Sequence, residues 1–313
     1  MKRLRILIPV LVVLAVLYLI VSLGERRGGG PDPLFPEFSG DAAAGIYMYV
    51  DGRTVALEKD SGVWIVPGED SLAADPAGVA AILEKTASFS RADKVSSNPG
   101  KRSVFQVDST GILVSIVDDR GDTTAAFVVG KVGPDYQSSY VRAAGSDDVI
   151  LASGYLRSMF DRGERTWQDR LIFNFTPDDI SRVDIRRGRE EYTLSRTAGG
   201  EWMIAAPETM ACRQNFATRL VRMLALLRCD GFAGRLPLPG ANVAGSDTTL
   251  WFATSGGEEH RLFFGSENDA GEVSLAKDDS DVVYLLARVK VNQLTPSLSE
   301  MLPEEPAPGG VSE

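Results

Sequence analysis

One histidine, two cysteines and several short acidic clusters are what this 313-residue chain could bring to catalysis or to a metal ion. His260 stands in "EEHRLFF", behind Gly256-Gly257 and early in an expected strand, where a solvated side chain is expected. One imidazole and two separated thiols make a zinc site of the usual nitrogen–sulfur kind hard to build. The thiols, Cys212 and Cys229, fall in or beside one amphipathic helix. Seventeen residues of helix would span about 25 Å at ~1.5 Å each, far beyond the ~7 Å that a disulfide allows between Cα atoms. Two buried free thiols are therefore expected. A Ser–His–Asp triad would have to use His260, and the sequence has no G-x-S-x-G elbow, P-loop or G-x-G-x-x-G stretch.

The acidic clusters are Asp118-Asp119, Asp147-Asp148 and Asp278-Asp279-Ser280-Asp281. All flank turns. Calcium wants several oxygens, but no EF-hand spacing is present, and Asp at a turn commonly bonds its own backbone. Turn chemistry is therefore expected of these aspartates. A carboxylate pair for glycoside hydrolysis is a matter of spatial separation, and nothing in the sequence singles one out. Eight arginines fall between Arg157 and Arg189, interspersed with Asp161, Glu164, Asp169, Asp178, Asp179 and Asp184. Mixed signs point to a solvated surface or an ion-pair network, with a partner-binding patch as the alternative. Trp64 and Trp202 could line a groove; their strand neighbours favour packing in a core. No residue is nominated as catalytic, as a cofactor contact or as a metal ligand. No cofactor and no enzymatic activity are expected.

The elements that must hold these residues begin with the composition. The net charge of −10 argues against nucleic acid as the main partner, because phosphate neutralisation needs a basic surface. Hydrophobic content of 44% supports a sizeable core, and the length suits about two domains. The opening "MKRLRILIPVLVVLAVLYLIVSLGERRGGG" has no charge from Ile6 to Leu23, 18 positions. A bilayer needs roughly 17–25 such residues of helix, so residues 1–24 are expected to anchor the chain in a membrane. A cleaved signal peptide is the alternative, although its apolar stretch is usually about 7–15 residues. Lys2, Arg3 and Arg5 favour an inside N-terminus, which places the bulk of the chain outside the cytoplasm, in the periplasm of a bacterium. Residues 25–41, rich in Gly and Pro, read as a linker, and 303–313 as a disordered acidic tail.

Between them one pattern occurs twice. "GIYMYVDGRTVALEKDSGVWIVP" alternates apolar and polar residues around the hairpin signal Asp51-Gly52, and "RVDIRRGREEYTLSRTAGGEWMIAAP" does the same. Asp75 and Pro76 suit the cap and first position of a helix bearing Val79, Ile82, Leu83 and Thr86 on one face. In the second copy Phe216, Leu220, Met223, Leu224 and Leu227 form that face, with Thr209 or Asn215 as cap. Further strand pairs end on Gly130 and Gly265, 135 positions apart; Trp64 and Trp202 are 138 apart, and Asp148 and Asp281 are 133 apart. The expected architecture is α+β: two tandem repeats of about 135 residues, each β-β-β-α-β-β-β-β, a mostly antiparallel sheet with one main amphipathic helix. Their bounds are expected at 42–168 and 169–302.

The order of strand pair, "WIVP" at 64–67, Ala74-Asp75, helix, "VVGK" at 128–131, "YVR" at 140–142 and "DDVILA" at 147–152 resembles the bacterial domain of unknown function 4340 (DUF4340). The link "RTWQDRLIFNFTPDDISRVDI" at 165–185 carries the same resemblance. It implies a membrane-anchored, extracytoplasmic protein, similar in setting to auxiliary components of ABC-type transport systems of the gliding-motility kind. It assigns no active site. The second copy departs from the pattern, with Ala211-Cys212 in place of Ala74-Asp75. An interaction or accessory protein of a membrane complex is the functional expectation. The alternatives are a module binding glycan, peptide or lipid between the repeats, and a carboxylate-based hydrolase of the envelope.

Overall fold

The computed structural model of the protein describes residues 32–237 and 240–303. The chain divides into two compact units at Asp169/Arg170. In the first, β1 (Ala43–Val50), β2 (Arg53–Asp60), β3 (Val63–Val66) and β4 (Leu72–Ala73) precede helix α1 (Pro76–Ala87). Strands β5 (Lys94–Ser96), β6 (Ile112–Asp118), β7 (Thr123–Val132), β8 (Ser138–Ala143) and β9 (Val149–Ser153) follow, then the short helix α2 (Leu156–Phe160).

The second unit runs through β10 (Ile180–Arg187), β11 (Glu190–Arg196), β12 (Trp202–Ala206), β13 (Met210–Ala211) and helix α3 (Gln214–Ala225). It continues with β14 (Gly231–Arg235), β15 (Thr248–Thr254), β16 (Glu259–Glu267), β17 (Glu272–Lys277), β18 (Val282–Ala287) and helix α4 (Arg288–Leu294).

Each unit is built on one nine-stranded antiparallel sheet. The orders are β4-β3-β2-β1-β6-β7-β8-β9-β5 and β13-β12-β11-β10-β15-β16-β17-β18-β14, the same order twice. This is consistent with two sheet-rich repeats. The seven strands expected per unit become nine, because β4 and β13 have two residues each and β5 and β14 only three and five. Strands that short give no legible alternation. They also end both sheets, which leaves little unpaired edge for another chain to join.

The local chemistry follows the sequence closely at the first hairpin. Val50 pairs with Arg53, so Asp51 and Gly52 alone make the turn, both at positive φ (48° and 74°). That two-residue loop matches the right-handed strand twist. Asp75 caps α1, accepting from the Ala77 N–H at 3.2 Å, and Pro76 is its first residue. The second helix departs from expectation. Its cap position is Arg213, which makes no side-chain cap bond, and neither Thr209 nor Asn215 holds that place. Gln214 turns back instead: its Oε1 accepts from the Trp202 N–H at 2.9 Å and its Nε2 donates to the Trp202 carbonyl at 2.7 Å. A side-chain amide thus serves Trp202 as a strand neighbour would.

One face of each sheet carries the core. Ile46, Met48, Val114, Ile116 and Phe127 join Val79 and Ile82 of α1 in one buried cluster. Val183, Ile185, Leu250, Phe252 and Leu262 join Leu220 and Leu224 of α3 in the other. The expected helical faces are the buried ones, with Leu83, Phe216 and Met223 at the rim.

The segment expected to be linker, 25–41, enters the described residues at Asp32 and is attached to the first unit from there. Leu34 donates its N–H to the Phe89 carbonyl at 2.8 Å, Arg91 donates to the Asp32 carbonyl at 2.8 Å, and Leu34 is buried. Phe35 lies 5.8 Å from Phe127, ring to ring. Apolar side chains between the prolines explain the attachment. The second unit opens alike: Ile172 donates to Leu227 at 2.7 Å and Cys229 to Arg170 at 2.8 Å. The anchor expected at 1–24 and all but the first residue of the tail at 303–313 lie outside the described residues. Among the described residues no helix is long and apolar enough to cross a membrane.

Candidate functional site

Residues that could do chemistry are dispersed. His260 is not the solvated residue expected. It shares strand phase with Leu262 and Phe264, and its ring lies 5.1–5.2 Å from those of Phe173, Phe175 and Phe252. Among the described residues its buried Nε2 has no hydrogen-bond partner. Cys212 and Cys229 are buried free thiols. Burial raises the Cys212 thiol and pushes that of Cys229 up to about 11, so neither is a ready nucleophile at neutral pH. Among the described residues no group of three or more His, Cys, Asp or Glu could hold a metal ion.

The acidic clusters are engaged locally. Asp118 accepts from the backbone N–H groups of Arg120 and Asp122 at 3.0 and 2.9 Å, closing the β6–β7 turn. The Arg120 guanidinium, helped by those N–H groups and opposed by partial burial, holds its carboxyl below the ordinary range. Asp147 pairs with Arg102, Asp148 with Lys94, Asp279 with Lys277 and Asp281 with Arg235. Asp75 is the helix cap already described. The arginines of 157–189 are divided between the two units: the Arg162 guanidinium stands 4.9 Å from the Trp167 ring centre, and Arg182 pairs with Asp184 at 3.0 Å.

The tryptophans differ from one another. Trp202 is buried, whereas Trp64 is half-buried at the rim of the first core with Lys59 5.8 Å over its ring. Trp167, in the link and not singled out by the sequence, is fully buried.

What remains open is the sheet face opposite each core. Part of that face is covered. Val107 packs on Val128 and Val149 in the first unit, and Ala241 and Val243 pack on Ala276 and Val283 in the second. The rest is a depression at corresponding strands of each sheet. The first, about 540 Å³, is crossed by the row Thr54–Tyr49–Leu113–Val128–Arg142, each residue pairing with the next. Tyr49 and Leu113 are 43% and 39% exposed, unusual for large side chains in the middle of a sheet. Arg142 closes the row, its guanidinium bonded to the carbonyls of Val107, Ala143 and Ser146. Beside it the Tyr47 hydroxyl donates to Glu58 at 3.0 Å, and burial together with that bond raises its phenol.

The second depression, about 560 Å³, has different chemistry on the same plan. Its rows are Glu191–Arg186–Thr249–Phe263 and Thr193–Asp184–Trp251–Arg261. Asp184 accepts from Arg182 through both oxygens, at 3.2 and 3.0 Å from Nε, and from the Thr193 hydroxyl. The Asp184 bond raises the pKa of Arg182, against partial desolvation. The Arg182 guanidinium stands 5.3 Å from the Trp251 ring centre. Such faces can bind. The sequence carried a signal for them: Tyr47, Tyr49 and Trp251 are large aromatics in the strand phase that faces away from the core.

No curated protein and no solved structure matches the chain. A family model, Domain of unknown function (DUF4340), matches residues 64–248, which reach from β3 of the first unit to β15 of the second. That span is more than half of the chain, and the protein belongs to the DUF4340 family.

Proposed function

We propose that the chain is a non-enzymatic interaction module of a membrane complex. In this reading the apolar segment 6–23 anchors it in the inner membrane with the N-terminus inside, and both units, copies of one ancestral repeat, stand in the periplasm. The observation that carries the reading is the first open sheet face, where Tyr49 and Leu113 are exposed side by side on adjacent strands. Exposed apolar area at the centre of a sheet is characteristic of a surface that meets another protein. The equal strand orders support duplication. The resemblance in setting to ABC-type auxiliary proteins makes such a transporter the first partner to examine.

A photo-crosslinking residue at position 49 or 113 of the full chain, in its native membrane, tests this. Specific membrane proteins should be captured there, and not from position 59 on the far part of the sheet. Capture from all three positions alike, or from none, would remove the proposal. Protease access to the two units in spheroplasts tests the orientation.

A second reading, a module that binds a glycan, peptide or lipid, is favoured by the second depression with its Trp251 and paired charges. Binding would then occur on that face, and the soluble fragment 40–302 should show a ligand-dependent thermal shift.

A further inference from the structure

We propose that the open face of the second sheet is a binding site for a neutral oligosaccharide. This rests on the second reading above and specifies its ligand. Three features point to that class.

The first is charge. The depression presents three cations, Arg182, Arg186 and Arg261, and three anions, Asp184, Glu191 and Glu259. Its lining is therefore balanced, in a chain whose net charge is −10. Among the described residues only Arg182 and Asp184 of these six form an ion pair. Arg186 donates to the Ser246 carbonyl at 3.1 Å. A strongly charged ligand would meet repulsion from half of such a lining. A ligand made of hydroxyl groups meets none, because each hydroxyl both donates and accepts. Carboxylates then accept from its hydroxyls and guanidinium groups donate to its oxygens, as charge-assisted bonds.

The second feature is Trp251. It lies at the middle of the row between Asp184 and Arg261 and faces away from the core. An indole with polar groups on either side offers apolar contact to the C–H edges of a sugar ring while the hydroxyls bond outward.

The third is the contrast with the first unit. There the corresponding row carries Tyr49 and Leu113, exposed side by side, an apolar surface suited to protein side chains. In the second unit Arg186 and Thr249 stand where Tyr49 and Leu113 do in the first, with Phe263 still apolar at the end of the row, so the same depression has exchanged two of its large exposed side chains for more polar ones. The edges of the sheet end in the short β13 and β14, so recognition has to proceed through the face.

The test uses the full chain in detergent, with cellohexaose, maltohexaose and chitohexaose as probes. Hexaglutamate and phosphatidylcholine/phosphatidylglycerol vesicles serve as competitors. Titration calorimetry and saturation-transfer NMR should show saturable binding of at least one hexasaccharide. Trp251→Ala should weaken it by about tenfold or more, which corresponds to ~1.4 kcal/mol, and Arg261→Ala should weaken it as well. Trp251→Phe should recover part of the loss. Far-ultraviolet circular dichroism establishes that each variant is folded. The inference is overturned if no hexasaccharide binds the folded wild type, if Trp251→Ala binds as well as wild type, or if hexaglutamate or vesicles alone bind. Crosslinking from position 49 is read in the same Trp251→Ala cells. Partners captured there without any sugar binding would sink this inference and leave the interaction reading standing.

Discussion

Gly130 lies directly beneath the carbonyl oxygen of Phe105, so close that a Cβ at position 130 would stand 2.2 Å from it. Gly265 repeats the relationship with the Ala241 carbonyl, at 1.9 Å. In both units a covering segment crosses the sheet over a residue that has no side chain. Gly130→Ala and Gly265→Ala should each destabilise by about 1–3 kcal/mol, because the obstacle is rigid backbone rather than a movable side-chain end. Hydrogen exchange should show the loss confined to the unit that carries the substitution. Wild-type protection in either variant would mean that the segment moves aside at little cost.

Trp167 provides a sharper test of the first core than Trp64. Its indole is fully buried, and a Cβ on Gly78 would touch its Cζ3 at 3.0 Å. Trp167→Ala should cost about 3–5 kcal/mol, as large aromatic deletions from cores do. Trp64→Ala should cost clearly less, since that ring is half-buried under Lys59. Urea unfolding followed by circular dichroism ranks the two, and the reverse order would contradict the packing described.

The buried thiols give the protein an alkaline limit. Cys229 rises from its ordinary 9.0 to about 11 through burial. A group raised in this way keeps its full stabilising effect below the unfolded value and loses it as pH climbs through the folded one. The urea midpoint should therefore fall between pH 9 and 11, and Cys229→Ala should fall less steeply there. Parallel profiles would assign the decline to other groups, such as Tyr284, whose phenol burial also raises. Ellman's reagent should leave both thiols unmodified until the protein unfolds.

Asp75→Ala removes the side-chain bond to the start of α1 and should cost about 1 kcal/mol. Asp75→Asn should recover most of it, since the role is to accept from the Ala77 N–H. A thermal midpoint unchanged in Asp75→Ala would show that Pro76 and the tertiary contacts suffice.

Where strands are long enough to alternate, the sequence reads correctly. Ile46, Met48, Val183 and Ile185 face a core, and the Asp51-Gly52 turn is where it was expected. Four things were not legible. Two-residue strands such as β4 have no period. The Gln214 clamp on Trp202 is a contact between residues 12 apart that no capping rule describes. The place of His260 just behind the Gly256-Gly257 turn suggests a solvated side chain, although its phase with Leu262 points inward. The open faces were written in the outward phase, where large aromatics look like ordinary surface until the register places Tyr49 beside Leu113.

The backbone at Asp32–Leu34 is hydrogen-bonded to Phe89–Arg91, just past the end of α1. A mechanical pull from the N-terminal side, such as a tether under tension would deliver, reaches these few bonds before it reaches any strand of the nine-stranded sheet. They would part first and pay out a short length of chain. The sheet and its open face would stay whole behind that strain relief.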